Sequence, residues 1–357
     1  MRDRHQKKSR FFRLTRWGKA LLFFSAVILF AAMVTGRNVV YLLFSLIISF
    51  MFVSAILATI SLYRLRVGRL LPQHIFSGKP FLVETRVTND KRFLPSFSLI
   101  VSNVLNQKEL KGRYILKLPP QSSVSVAHKY LIERRGRYTF HGVKVSTTYP
   151  PELFLKGYLV MEPETIIVYP RIVRLNPHFL NDIASEIENQ VNRAGLGTDL
   201  YGFRKYQNGD DSRFINWKLS AKTRDLLIST YCHEQNLKVC VVFDNLIYRI
   251  DQSSRERFES AVTLAASFCS FFIEGGFKVK LVSRNQEIPY GEGNRQLYTI
   301  LRHLALIEPM TGEDAPVDPY SPHILESGIG LLVYCDAKPG NTGNFARAFD
   351  GATMGGI

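Results

Sequence analysis

Two uninterrupted apolar runs open the chain, after which the pattern of hydrophobic and polar positions changes twice. The first run, ALLFFSAVILFAAMVT, covers roughly Ala20 to Thr35, and the second, VVYLLFSLIISFMFVSAILATISLY, covers Val39 to Tyr63. At about 1.5 Å per residue the uncharged second run is long enough to cross the hydrocarbon of a bilayer. The first is shorter and needs Trp17 or Lys19 at the interface to complete its span. A cleaved signal peptide would explain the basic start and the first run but would not require the second. A buried helical hairpin would need a polar face, which the second run lacks. The reading is two transmembrane helices, at about 18–36 and 39–63, within an N-terminal segment 1–69.

From about residue 70 to 164 the period becomes two. Phe81, Val83, Thr85 and Val87 alternate with more polar neighbours, as do Val124 and Val126, then Val143 and Val145. Such alternation marks half-buried strands. Turn signals at Asn89-Asp90, Pro119-Pro120, Gly136, Gly142 and Pro150-Pro151 separate them. Short strands at this spacing predict an antiparallel β-sandwich of immunoglobulin-like type. The cluster Arg134, Arg135 and Arg137 reads as a solvated hairpin end.

A connecting segment, 165–232, follows. Thr165–Tyr169 looks like a strand, FLNDIASEIENQ like an acidic-faced helix, and then comes the densest polar run of the chain. That run holds Tyr206, Gly209, Asp210, Asp211, Arg213, Asn216, Trp217, Lys218 and Arg224. Asn208-Gly209 predicts a turn, and Asp211 or Ser212 a cap for a short helix. The remaining Arg and Asp side chains can form one ion network holding the loop in place. A partner-docking surface is the second reading. Catalysis by Asp210 and Asp211 is a distant third reading, since adjacent carboxylates in a turn are more often caps and no histidine or third acid sits beside them.

Over 233–357 apolar strands alternate with helices. LKVCVVF ends at Asp244, and a helix over about Ser254–Glu274 follows, with Ser253 and Glu256 matching a capping box and Gly275-Gly276 a stop. Phe258, Ala261, Val262, Ala265, Phe268, Cys269 and Phe272 should form its buried face. Strand FKVKLVS, a helix near Gln296–Leu306, and strand GIGLLVYC ending at Asp336 complete a parallel, doubly wound α/β pattern. Ligands of such sheets collect at the carboxyl ends of the strands, where Asp244 and Asp336 fall and could hold Mg²⁺. The plainer reading of each is an ordinary strand-to-helix loop, where Asp is common.

Charge alters the picture in one respect. The formal net charge is +16, but residues 1–70 hold twelve Lys and Arg against the single acid Asp3. The excess therefore flanks the apolar runs, where anionic lipid explains it, and the remainder is too near neutral for a nucleic-acid binder. Eight basic residues precede the first span, one lies between the spans, and Arg64, Arg66 and Arg69 follow the second. The positive-inside rule then puts both flanks in the cytoplasm and a short turn, Gly36–Asn38, outside. Cys232, Cys240, Cys269 and Cys335 form no CxxC pair and read as small buried side chains of a reducing compartment rather than zinc ligands.

The run QNGDDSRFINWKLSAKTRDLLI resembles the signature of the domain of unknown function 58 family, a Tyr…GDxxRxIxWK…AR-type core matched by Tyr206, Gly209, Asp210, Arg213, Ile215, Trp217, Lys218, Ala221 and Arg224. RRGRYTFHGVKVSTTYPPELF and IIVYPRI resemble two further recurrent stretches of that family. The resemblance implies a helical hairpin, a β-domain, the signature and a von Willebrand factor A-like domain, in that order. It also implies a membrane protein encoded beside a MoxR-type AAA+ ATPase and other von Willebrand A proteins, acting as an accessory in assembling or activating other proteins, with no established catalytic activity. One departure stands out: a metal-binding von Willebrand A domain carries Asp-x-Ser-x-Ser, whereas here Asp244 precedes Asn245, Leu246, Ile247 and Tyr248. Asp336 matches a later acid of that site, but without the hydroxyl ligands Mg²⁺ would bind weakly or not at all. The Gly-rich ending FDGATMGGI implies an abbreviated domain or a fragment. The function expected is a membrane-anchored, cytoplasm-facing adaptor. The alternative is a metal-dependent hydrolase using Asp210, Asp211, Asp244 or Asp336.

Overall fold

The computed structural model describes residues 8–150, 152–175, 199–205, 227–232, 238–249, 251–311, 318–321, 324, 329–335, 345 and 347–350, with only the backbone at 199–205, 227–232 and 329. The chain divides into two compact units, Met1–Tyr169 and Pro170–Ile357.

The first unit begins with a strand, β1 (Lys8–Leu14), and only then enters the helices α1 (Arg16–Thr35) and α2 (Asn38–Leu62). Thr15 caps α1 by accepting from the Gly18 amide, and Gly36 ends it in the left-handed region at φ 61°, which glycine adopts without strain. With 20 and 25 residues, α1 and α2 are both long and apolar enough to cross a membrane. Phe23, Phe24 and Phe30 of α1 and Val39, Leu42 and Phe52 of α2 are exposed, an arrangement that suits lipid and not water.

Strands β2 (Leu65–Leu70), β3 (Ile75–Phe76), β4 (Phe81–Asn89), β5 (Ser96–Leu105), β6 (Lys108–Glu109), β7 (Arg113–Leu118), β8 (Ser122–Tyr130), β9 (Gly136–Thr147) and β10 (Phe154–Tyr169) complete this unit. They form a three-stranded sheet, β2-β4-β8, and a seven-stranded sheet with the path β1-β10-β9-β5-β6, to which β3 adds on β10 and β7 on β5. The alternation read from the sequence is realised in β4, where Phe81, Val83, Thr85 and Val87 are buried. Thr165–Tyr169, read above as part of the connecting segment, is the end of β10 and pairs with β9 beyond a bulge between Met161 and Glu164. Two apolar clusters fill the space between the sheets, one including Leu65, Val87, Leu99 and Val145, the other Phe81, Val83, Phe140 and Val168. Between them lies a polar layer in which Asn103 donates to Thr85 and Tyr130 at 3.2 Å, and the Arg69 guanidinium stands 4.9 Å from the Phe140 ring centroid.

The helical hairpin and the sheets are one body. β1 pairs with β10 from Lys8↔Val160 to Leu14↔Phe154. The Thr15 amide donates to the Leu153 carbonyl at 3.1 Å, and a Cβ on Gly18 would lie 2.2 Å from that same oxygen. At the other end, Ser61 Oγ donates to the Phe97 carbonyl and accepts from the Phe97 amide. Lys91 Nζ donates to the Ile60 carbonyl at 2.8 Å, the Ser61 carbonyl at 3.2 Å and Ser96 Oγ at 2.6 Å. A cation is thus placed on the orphan carbonyls that end α2.

In the second unit, β11 (Asp199–Lys205) and β12 (Leu227–Cys232) pair antiparallel. The rest is a five-stranded sheet built from β13 (Lys238–Asp244), α3 (Gln252–Glu274), β14 (Lys278–Ser283), β15 (Glu287–Gly291), α4 (Gly293–Leu306), β16 (Ile329–Tyr334) and β17 (Arg347–Asp350). Its order is β15-β14-β13-β16-β17, parallel throughout except for β15. Helix α3 buries every residue expected of its apolar face, Phe258 through Phe272. Its cap differs from expectation: Asp251, not Ser253, accepts from the Ser254 amide at 2.6 Å, and Ser253 Oγ donates to the same carboxylate. Cys240, Cys269 and Cys335 are buried thiols in no disulfide, Cys335 Sγ donates to the Asp244 carbonyl at 3.2 Å, and burial pushes the Cys240 thiol up to about 12.

Candidate functional site

The sheet of the second unit reverses direction at β13. The chain goes from β13 through α3 to β14 on one side, and later places β16 on the other side. The crevice at the carboxyl ends of such strands is where open α/β sheets place their ligands. Asp244, the last residue of β13, sits there, and the structure surrounds it with its own partners.

The Asp244 carboxylate is 7 % exposed and accepts from Arg284 Nε at 2.5 Å and Nη2 at 3.2 Å. The Tyr320 hydroxyl donates to its Oδ2, and the Leu246 amide donates to Oδ1 at 3.1 Å. Its hydrogen bond to Asp244 holds the Arg284 guanidinium above its ordinary range. Burial and then the Asp244 charge push the Tyr320 hydroxyl far up, so it stays a donor. Of the two positions where a von Willebrand A metal site would carry serine, Leu246 is buried and Tyr248 is exposed.

Asn245 fixes the loop beyond Asp244. Its side-chain amide donates to Asn285 Oδ1 at 2.7 Å and the Glu308 carbonyl at 2.9 Å, and its Oδ1 accepts from the Arg284 amide. At the end of β14, Ser283 Oγ lies 2.9 Å from His303 Nε2. Burial argues against a working nucleophile here. The serine hydroxyl has one proton and two acceptors in reach, the Gln286 carbonyl at 3.0 Å and His303 Nε2, and it also accepts from the Gln286 amide at 3.2 Å. Ser283 is fully buried, and burial lowers the His303 pKa, which keeps the ring neutral.

Sequence reasoning found Asp244 but missed Arg284, Asn245, Ser283, His303 and Tyr320. The signal was present: SRN closes β14, with Ser283 its last residue, at the same carboxyl end of the sheet as Asp244. Asp336 and the signature residues Tyr206, Gly209, Asp210, Asp211, Arg213, Asn216, Trp217, Lys218 and Arg224 lie outside the described residues. Among the described residues no group of three or more His, Cys, Asp or Glu converges as metal ligands.

Two long apolar helices joined to one β-rich body, followed by a mainly parallel α/β sheet, define a class of protein with candidate membrane spans and sheet-rich domains. The family model "Protein of unknown function DUF58" matches residues 202–321, about a third of the chain, from within β11 to Ser321. A relative, the uncharacterized protein YeaD of Bacillus subtilis (strain 168), is 22 % identical over 301 residues, covering 80 % of this chain and 73 % of its own length. Among solved structures, the CARDB domain of the PF1109 protein from Pyrococcus furiosus is 14 % identical, covering 29 % of this chain and 91 % of its own, at a TM-score of 0.22. Spo0M, a sporulation control protein from Bacillus subtilis, is 12 % identical, covering 40 % of this chain and 58 % of its own, at a TM-score of 0.18. TM-scores this low do not define a shared fold.

Proposed function

We propose that this protein is a membrane-anchored, cytoplasm-facing scaffold that presents a docking surface to other proteins. The observation that carries the reading is the fusion of helical hairpin and β-domain: β1 pairs with β10, Gly18 packs against the Leu153 carbonyl, and Ser61 at the end of α2 bonds Phe97 of β5. Such a joint holds a folded body at a set distance and orientation from the bilayer. The β-domain, in this reading an immunoglobulin-like sandwich, serves as the spacer. The second unit, read as von Willebrand A-like, presents the surface, with the signature loop containing Arg213, Trp217 and Arg224 supporting it. Charge on both flanks of the hairpin sets the orientation. The Asp244 carboxylate, tied to Arg284 and Tyr320, braces the strand-end loop.

The partner expected from the family resemblance is a MoxR-type AAA+ ATPase, with other von Willebrand A proteins beside it. The test is co-purification of the tagged full-length chain from detergent-solubilised membranes, with ATP and without. Nucleotide-dependent recovery of an AAA+ ATPase, lost in Arg213→Ala or Trp217→Ala chains that still fold, supports the scaffold. Stoichiometric Mg²⁺ binding with no partner recovered would instead favour the metal-dependent hydrolase.

A further inference from the structure

At the open edge between the two sheets of the first unit lies a cavity of about 340 Å³ that the scaffold reading does not use. One wall is the start of β7 with the residues just before it, including Lys111 and Arg113, and the other is the end of β8, His128 to Tyr130. No acidic side chain lines it. Lys111, Arg113 and Lys129 are exposed, so their charges face water at its mouth. Gly112 draws the first wall inward: a Cβ there would meet Ile100 Cγ2 at 2.9 Å, so only glycine lets the Lys111 and Arg113 backbone lie this close to β5.

His128 is what makes this more than a cationic rim. The residue is 2 % exposed, and its Nε2 has no hydrogen-bond partner. The ring bonds the backbone of Lys111. An unpaired polar atom buried this deeply is costly, and here it belongs to a residue lining the cavity. Burial and the Arg113 charge both lower the His128 pKa, which favours the neutral ring near pH 7. Neutral imidazole bonded through Nδ1–H offers a lone pair at Nε2, so the missing partner is a donor, whereas the surrounding cations call for an anion. One common chemical group supplies both. A phosphate monoester, with a second pKa of about 6, carries oxyanions and, in its monoanion, a P–OH. A carboxylate at neutral pH offers only acceptors.

The geometry points to this cavity as a binding site for the phosphate group of a soluble phosphorylated small molecule, with Lys111 and Arg113 meeting its charge and His128 Nε2 its hydroxyl. A lipid headgroup is a poorer source. The Ser122 end of β8 pairs with Asn89, next to the Lys91 that caps α2, and His128 lies six residues further along. At about 3.3 Å per residue that is roughly 20 Å from the end of α2.

The test is calorimetric titration of the full-length chain in detergent with inorganic phosphate, at about 0.15 M salt to suppress diffuse charge effects. Sulfate, which carries no proton at neutral pH, is the comparison. Saturable one-to-one phosphate binding, stronger than sulfate and weakened roughly tenfold or more in Lys111→Ala/Arg113→Ala, is the expected result. Both side chains are exposed, so this variant should melt like the parent, and Arg134→Ala/Arg135→Ala should bind like the parent. Absence of saturation by about 10 mM, equal binding of sulfate, or binding that survives Lys111→Ala/Arg113→Ala would overturn the site. Binding of short-chain phosphatidic acid but not inorganic phosphate would overturn the soluble source.

Discussion

Arg284 grips Asp244 with two nitrogens of its guanidinium, at 2.5 and 3.2 Å, closing the carboxyl end of the central strand with an internal cation. Both side chains are nearly buried, 12 % and 7 % exposed, so neither charge can fall back on water if the other is lost.

Arg284→Met should therefore cost about 3 kcal/mol, the scale seen when one partner of a buried pair is removed. Tyr320→Phe, which removes only a donor to the same carboxylate, should cost about 1 kcal/mol. Urea unfolding followed through the second unit checks both. Equal effects would mean that the network does not centre on the ion pair.

Lys91 gives the first unit a pH dependence. Burial pulls its ammonium from 10.5 to about 8, so the folded chain holds this proton less tightly than the unfolded chain. The resulting penalty is full below the folded value and fades as pH climbs towards the unfolded one. Between about pH 7 and about pH 10 the melting temperature should rise in the parent relative to Lys91→Met. A difference that stays flat, or runs the other way, refutes the assignment.

Gly18→Ala tests the joint between α1 and the sheet. The added methyl would stand 2.2 Å from the Leu153 carbonyl oxygen, and backbone cannot swing aside as a flexible side chain can. A loss of about 1–3 kcal/mol is expected, with faster proteolysis near Leu153. Gly36→Ala, at the far end of α1 where nothing lies within 4 Å, should leave that site protected, although its left-handed φ carries a cost of its own.

Arg69→Met should do little harm. The Arg69 side chain is 1 % exposed, and its Nε and Nη1 have no hydrogen-bond partner. Burial lowers its pKa against the opposing pull of Glu164. Methionine keeps much of the contact with Phe140 and removes the desolvated charge, so the urea midpoint should hold or rise. A clear fall would mean that the bond from Arg69 to the Glu162 carbonyl matters more than the buried charge.

What the sequence disclosed was whatever is encoded locally. The face of α3 was legible because 3.6-residue spacing and a Gly-Gly stop lie within one window, and β4 because its alternation is unbroken. β1 was not legible: KSRFFRL is basic and mostly exposed, and it is a strand only because β10 offers an edge far along the chain. Arg284 was missed for a similar reason, since its partner lies 40 residues earlier and is brought near by a parallel crossover. The α3 cap was misplaced by two positions because Asp251 and Ser253 are both good caps, and only geometry chose the carboxylate. The signature run, the strongest sequence signal, lies outside the described residues.

The pairing of Lys8 with Val160 has a consequence for how such a chain is made. β1 must wait for the last strand of its own sheet to be made, and both apolar helices are made in between. If those helices enter a bilayer, β1 and β10 can meet only when the hairpin's two ends emerge on the same side. A chain with one helix inserted the wrong way would leave β1 across the membrane and the β10 edge bare, open to aggregation or quality-control proteases. In a bilayer, completing the sheet would thus report that both ends of the hairpin had emerged on one side.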